Sequence, residues 1–156
     1  VPYSGLSYDH PAARIMTSAT MRKGAALIAL KPRGSNTAPL RAAVAALRSG
    51  RILGIAPDGP QGPARVAKPG IVDIAGMSGA PIAPISFATR PGRTLRTWDG
   101  FLLPMPFGRG VMAMGEALHV PRRLSAEDRA EWQARIAGAL DAVDATCDSA
   151  IARDRL

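Results

Sequence analysis

Short apolar runs alternate with amphipathic helical patterns over the first part of the chain, and this alternation limits the possible folds more than any other feature. Residues 25–30, 51–56 and 81–87 are apolar runs of strand length. Helical patterns lie between them at residues 39–48 and 70–77. This order predicts an α/β domain with a mixed, largely parallel sheet flanked by helices. In such sheets, ligands usually bind beyond the carboxyl ends of the strands.

Helical patterns also lie towards both ends of the chain. Residues 11–22 carry small and apolar side chains at helical spacing and predict a short helix. Ser125 and Asp128 have the spacing of an N-terminal capping box, and they open a predicted C-terminal amphipathic helix over residues 125–153. A further short strand is predicted at residues 111–115. The apolar face of the last helix should cover the sheet, and it consists of Trp132, Ile136, Leu140, Val143 and Cys147.

Length and composition favour one domain. With 156 residues, of which 47% are hydrophobic, the chain can form a core of its own, and we expect residues 1–156 to form a single domain. No run of about 18 apolar residues occurs, and no basic stretch precedes an apolar one, so neither a transmembrane helix nor a signal peptide is predicted. The single cysteine, Cys147, excludes a disulfide within the chain and favours a reducing compartment.

The chain is strongly basic, with 20 Lys and Arg against 12 Asp and Glu and a formal net charge of +8. This charge attracts anions in general, including phospholipid headgroups, nucleic acids and phosphorylated cofactors. Aromatic residues make up only 4% of the chain, which disfavours a module that stacks single-stranded bases. No helix-turn-helix, zinc-finger or RNA-recognition pattern occurs. A nucleic-acid-binding module is therefore the weaker alternative, and no nucleic acid partner is expected.

A loop rich in glycine and proline follows the predicted strand at residues 51–56. It consists of Asp58, Gly59, Pro60, Gln61, Gly62 and Pro63. Glycine lets the backbone come close to a ligand and proline fixes φ, so the loop should be stiff before anything binds. Arg65 and Lys68 follow closely and would add positive charge around an anion. The alternative is a plain strand-to-helix connection, and the residues alone do not separate the two interpretations.

This loop, with Lys68, Pro69 and Gly70 behind it, resembles the DGPxGP signature of the DUF374 group of the lysophospholipid acyltransferase superfamily. Three other segments resemble motifs of that group: Arg33-Gly34-Ser35 its RGS motif, residues 79–87 its GxPIxPxSF strand, and residues 98–107 its WDxFxxPxPF element. Together these motifs cover about residues 6–121. Apart from this resemblance, Trp98 and Asp99 are interpreted as a packing corner, in which the indole fills a gap and the carboxylate caps a turn.

The resemblance implies a glycerolipid acyltransferase-like fold and an acyl transfer reaction. The acyl donor would be a coenzyme A or acyl carrier protein thioester, used as co-substrate with no bound cofactor. The acceptor would be a hydroxyl of a lysophospholipid or a lipid A precursor with an anionic headgroup. Such a bacterial enzyme would act in the cytoplasm, peripheral to the inner membrane surface.

In this superfamily a histidine is the general base on the acceptor hydroxyl and an aspartate orients it. By resemblance, Ser7-Tyr8-Asp9 matches the family's SxxDG stretch, which makes Asp9 the candidate catalytic carboxylate and places the expected histidine upstream of Val1. His10 is interpreted as a surface or capping residue, because adjacent side chains point apart and Asp9 could not easily orient it. His119 is interpreted as structural. With two histidines and one cysteine at no ligand spacing, no metal site is predicted.

The resemblance also implies an acceptor pocket. Its predicted residues are Arg33, Gly34, Ser35, Asp58, Gly59, Pro60, Gly62, Pro63 and Arg65, with Arg33 as the main cationic contact. Whether the chain itself is an enzyme stays open at this point. The alternative is an N-terminally truncated, catalytically incomplete fragment or homologue that binds lipid without transferring acyl groups.

Overall fold

The computed structural model describes residues 3–8, 26–30, 36–59 and 61–153. Within these ranges the chain forms five strands and three helices in a mixed α/β arrangement. In chain order they are β1 (Tyr3–Tyr8), β2 (Ala26–Leu30), α1 (Thr37–Arg48), β3 (Ile52–Gly54), α2 (Pro69–Ser78), β4 (Ile85–Thr94), β5 (Leu102–Met114) and α3 (Ala126–Arg153).

The first three strands form a parallel sheet in the order β2-β1-β3. Tyr8 of β1 pairs with Leu30 of β2, and Gly5 of β1 pairs with Gly54 of β3. The strands predicted at residues 25–30 and 51–56 are confirmed, but the central strand β1 was not predicted. A strand buried on both faces was expected at residues 51–56. Instead Ile52 is 58% exposed, so the face of β3 that carries Ile52 is not covered.

The strand predicted at residues 81–87 does not join the parallel sheet, which corrects the expectation of one sheet. β4 pairs with β5 in a separate antiparallel sheet, which we call the hairpin. β4 continues to Thr94, and a short turn then brings the chain back alongside it, so the pairing is made locally. The strand predicted at residues 111–115 is the end of the longer strand β5.

The helices predicted at residues 39–48 and 70–77 are confirmed as α1 and α2. Pro69 begins α2, where its missing N–H costs no hydrogen bond. Gly79 ends it in the left-handed region with a φ of 76°, where glycine has no steric penalty. The helix predicted at residues 11–22 lies outside the described residues.

The capping box before α3 is confirmed. The Ser125 backbone N–H donates to Asp128 Oδ2 at 2.9 Å, and the Asp128 N–H donates to Ser125 Oγ at 3.1 Å. The helix packs on β4 and β5 rather than on the parallel sheet. Each helix among the described residues is either too short or too polar to span a bilayer.

The core lies where α2, α3 and the segment after β5 meet. Its buried residues are Ala67, Val72, Ala75, Val120 and Ile136. Trp132 and Leu140 of the predicted α3 face pack against this cluster, and Val143 and Cys147 of the same face are buried further along the helix. The predicted apolar face of α3 is therefore the face that packs.

Candidate functional site

The loop after β3 is held in shape by hydrogen bonds of its own. The Gly59 N–H donates to the Ala56 carbonyl at 3.2 Å, and the Lys68 N–H donates to the Pro57 carbonyl at 2.8 Å. The Lys68 ammonium donates to the Gly62 carbonyl at 2.5 Å. These bonds connect Gly59 to Ala56 and connect Lys68 to Pro57 and Gly62, so the described residues of the loop are held to one another.

Two glycines of the loop adopt conformations that other residues avoid. Gly59 and Gly62 have φ values of 66° and 64°, in the left-handed region. Gly62 is buried and lies against Trp98: a Cβ atom at position 62 would be 2.8 Å from Trp98 Cε3 and 3.0 Å from Cζ3. The loop and the turn of the hairpin, two segments with separate motif resemblances, are therefore in direct contact.

Trp98 thus contacts the loop backbone with one edge of its ring, but it is 49% exposed, so the expected filling of a gap is met only in part. The turn that carries it is closed by Thr97, whose hydroxyl accepts a hydrogen bond from the Phe101 N–H at 2.9 Å. The Gly100 N–H donates to the Thr97 carbonyl at 3.1 Å. Thr97, rather than the predicted Asp99 carboxylate, therefore makes the hydrogen bonds that close this turn.

Arg65 forms ion pairs with two carboxylates of α3. Its Nη1 lies 2.5 Å from Asp141 Oδ1, and its Nη2 lies 3.0 Å from Asp144 Oδ2. The hydrogen bond to Asp141 and the charge of Asp144 raise the pKa of Arg65 above its ordinary value. The positive charge that Arg65 was expected to add beside the loop is therefore offset, and a phosphate would have to compete with these partners.

Hydrogen bonds connect Asp144 and the helix α3 to β4. The Ser86 hydroxyl donates to Asp144 Oδ1, and the thiol of the buried Cys147 donates to the Ser86 carbonyl at 3.4 Å. Gln133 on α3 donates to the Ala67 carbonyl at 2.6 Å. These contacts span 58 to 76 residues of sequence, and no local pattern signalled them. The helix therefore fixes both the strand β4 and the segment that follows the loop.

Five of the predicted site residues are described: Asp58, Gly59, Gly62, Pro63 and Arg65. Asp58 is half-buried at the start of the loop. The other predicted site residues, Asp9, Arg33, Gly34, Ser35 and Pro60, lie outside the described residues, as does His10. β1 ends one residue before Asp9, and β2 ends three residues before Arg33.

The remaining histidine, His119, is exposed and follows Leu118, which pairs with Ile82 in an isolated bridge. The structural role expected for His119 stays a prediction. Within the described ranges, no three His, Cys, Asp or Glu side chains come close enough to hold a metal ion.

Comparison with known proteins shows one distant relative. An uncharacterized protein of Rickettsia prowazekii (strain Madrid E) is 28% identical to this chain over 109 residues. The match covers 70% of this chain and 50% of that protein, so the chain spans half the length of the relative. No protein-family model and no solved structure matches the chain.

Proposed function

We propose that this chain is a glycerolipid acyltransferase-like domain. It would transfer a fatty acyl group from an acyl-CoA or acyl carrier protein thioester to a hydroxyl of a (lyso)phospholipid or lipid A precursor. The observation that carries the proposal is the common direction of β1, β2 and β3. β1 is parallel to both β2 and β3, so the carboxyl ends of all three strands lie on the same side of the sheet. In the sequence, each strand is followed by a segment that resembles a motif of the superfamily: Asp9 after β1, Arg33 after β2 and the Asp58 loop after β3.

The proposed reaction needs a base and an orienting partner. A histidine takes the proton from the acceptor hydroxyl, the oxygen attacks the thioester carbonyl, and the C–S bond breaks as the new C–O bond forms. The protonated histidine then gives its proton to the departing thiolate, so the donor leaves as a free thiol. We assign the orienting role to Asp9, because it follows the central strand of the sheet, and the resemblance expects the histidine upstream of Val1.

The acceptor pocket is proposed between the segment after β2 and the loop after β3. Arg33, Gly34 and Ser35 would contact the phosphate or glycan of the acceptor, and the loop from Asp58 to Pro63 would form the opposite wall. The hydrogen bonds made by Lys68 support this role, because a loop that is already ordered loses little entropy when a ligand binds. Arg65 would act mainly by fixing the loop to α3.

An acyl transfer assay tests the proposal. The protein is incubated with labelled acyl-CoA or acyl carrier protein and a mixture of lysophospholipids and lipid A precursors. Where the reading frame continues ahead of Val1, a longer chain is tested in parallel. We expect transfer by the chain that contains the histidine. If neither chain transfers an acyl group but the acceptor lipid still binds, the binding-only alternative replaces the proposal.

Single substitutions then test the assigned roles. Asp9→Asn should lower kcat by on the order of 100-fold or more, because the base loses its orientation. Asp148→Asn, an exposed change on α3, is the matched control and should leave kcat unchanged. Arg33→Gln should raise KM for the acceptor with little change in kcat. Equal activities of Asp9→Asn and Asp148→Asn would remove Asp9 from the site.

A further inference from the structure

Exposed apolar side chains are concentrated in the hairpin. Nine of the twelve large hydrophobic residues exposed in the described part of the chain lie between residues 85 and 114. They include all three phenylalanines of the chain, Phe87, Phe101 and Phe107. A small protein normally uses phenylalanine in its core, so this distribution calls for a partner surface.

The hairpin is exposed throughout residues 90–94 of β4 and 103–110 of β5. Between the pairs Arg90–Arg109 and Gly92–Pro104 the register advances two residues on β4 and five on β5, so β5 carries extra residues as a bulge. Phe107 lies in this bulge with a φ of 62° and a relative exposure of 106%. The bulge therefore holds a phenylalanine ring entirely in solvent.

Charge identifies the kind of partner. Between Arg90 and Arg109 the chain has four arginines and a single acidic residue, Asp99. The arginines are all exposed, and they lie at positions 90, 93, 96 and 109. The exposed apolar side chains of the same stretch are Trp98, Phe101, Leu103, Met105 and Phe107. Aromatic and aliphatic side chains mixed with arginine match an anionic lipid surface, which offers both acyl chains and phosphates.

We infer that residues 90–109 of the hairpin dock on an anionic lipid bilayer, with the Phe107 ring inserted at the interface. Trp98 links this docking element to the candidate site, since its indole also lies against Gly62. If the proposed function holds, the site would face the membrane that contains its acceptor. The docking itself does not depend on that function, because it needs only the hairpin.

Vesicle flotation tests the inference without any acyl donor. One set of vesicles is phosphatidylcholine alone, and in the other about a third of the lipid is phosphatidylglycerol. We expect binding to the anionic vesicles and weak binding to the neutral ones. Equal binding to both, or binding to neither, would contradict the inference, whatever the outcome of the acyl transfer assay.

Phe107→Asn is the main variant, because asparagine tolerates a positive φ and replaces the apolar ring with a small uncharged amide. It should weaken binding to the anionic vesicles by about tenfold. Met77→Ser changes an exposed apolar residue outside the hairpin and should have no effect. If both variants bind as the native chain does, the ring is not the inserted group.

Arginine variants test the electrostatic part. Changing Arg93 and Arg96 together to Gln should weaken anionic vesicle binding by roughly 20-fold, whereas the same change at Arg122 and Arg123 removes equal charge elsewhere and should have a smaller effect. In a Phe107→Trp variant whose two native tryptophans, Trp98 and Trp132, are changed to Phe, lipids with brominated acyl chains should quench the new indole. Absence of quenching, or a concentration-dependent dimer that Phe107→Asn abolishes, would assign the hairpin to a second copy of the chain instead.

Discussion

The indole of Trp98 lies so close to the backbone of Gly62 that a Cβ atom at position 62 would be 2.8 Å from its Cε3 atom. The two residues are 36 positions apart in the chain and belong to different segments, the loop after β3 and the turn of the hairpin. Glycine is required at position 62 for two reasons. Its φ is 64°, in the left-handed region, and a side chain there would overlap the Trp98 ring.

Substituting alanine at this contact should therefore cost more than substituting it nearby. Gly59→Ala places a methyl group at a similar φ of 66° but only in ordinary contact, 3.9 Å from Lys68 Cγ. It should lower the free energy of unfolding by about 1 kcal/mol through backbone strain alone. Gly62→Ala adds overlap with the indole and should cost about 2 kcal/mol more. Denaturant unfolding of the two variants measures the difference.

The fluorescence of Trp98 reports the same contact directly. In a Trp132→Phe background, Trp98 is the remaining tryptophan. Gly62→Ala should shift its emission, since the ring must move, whereas Gly59→Ala should leave the spectrum unchanged. Equal spectra and equal stabilities of the two alanine variants would show that the indole does not rest on Gly62.

Local signals in the sequence predicted most helices and strands in the described part of the chain. Each of these signals acts within a few residues of the chain. They are the helical periodicity of α1 and α3, the capping pair Ser125 and Asp128, and the proline and glycine at the ends of α2. Strand pairing is a non-local choice, and there the sequence was less informative. Nothing in residues 81–87 distinguishes an added parallel strand from one arm of an antiparallel hairpin, so the placement of this strand was predicted wrongly, although the parallel sheet itself is present.

The candidate site shows the same limit. The glycines and prolines of the Asp58 loop predicted a stiff connection, and hydrogen bonds made by Lys68 hold it. The partners of Arg65 could not be predicted, because Asp141 and Asp144 lie more than 70 residues away on α3. The sequence pattern of that helix predicted its apolar face but not the contacts of its charged residues. The roles of Asp9 and Arg33 stay predictions, since both residues lie outside the described ranges.

The ion pairs of Arg65 should contribute modestly to stability and only at low salt. The side chains of Arg65 and Asp141 are more than half exposed, so water screens the pair. Arg65→Gln should lower the free energy of unfolding by about 0.5–1 kcal/mol at low ionic strength. In about 1 M salt most of that difference should disappear, because the screening length falls to roughly 3 Å. A cost that is unchanged by salt would mean that packing, not charge, fixes Arg65.

The capping box of α3 should make stability depend on pH. The Ser125 N–H and then its hydroxyl lower the pKa of Asp128 below its ordinary value of 3.8. A carboxyl with a depressed folded pKa stabilises the fold above its unfolded pKa, and this contribution is lost as the pH falls through the folded value. The difference in stability between the native chain and Asp128→Asn should thus be constant above about pH 5 and shrink below pH 4. A difference that does not vary with pH would contradict this.

The packing of α3 on the core should depend most strongly on Ile136, which has a relative exposure of 0% and belongs to the central cluster with Val72 and Val120. Ile136→Ala removes three buried carbon atoms and leaves a cavity, so it should lower the free energy of unfolding by about 2–5 kcal/mol. Met112→Ala, at a residue with an exposure of 75%, is the matched control and should change stability by less than about 0.5 kcal/mol. Thermal unfolding of both variants measures the contrast. Similar costs at the two positions would mean that α3 does not pack as described, and the contacts that fix Arg65 and Ser86 to this helix would have to be revised with it.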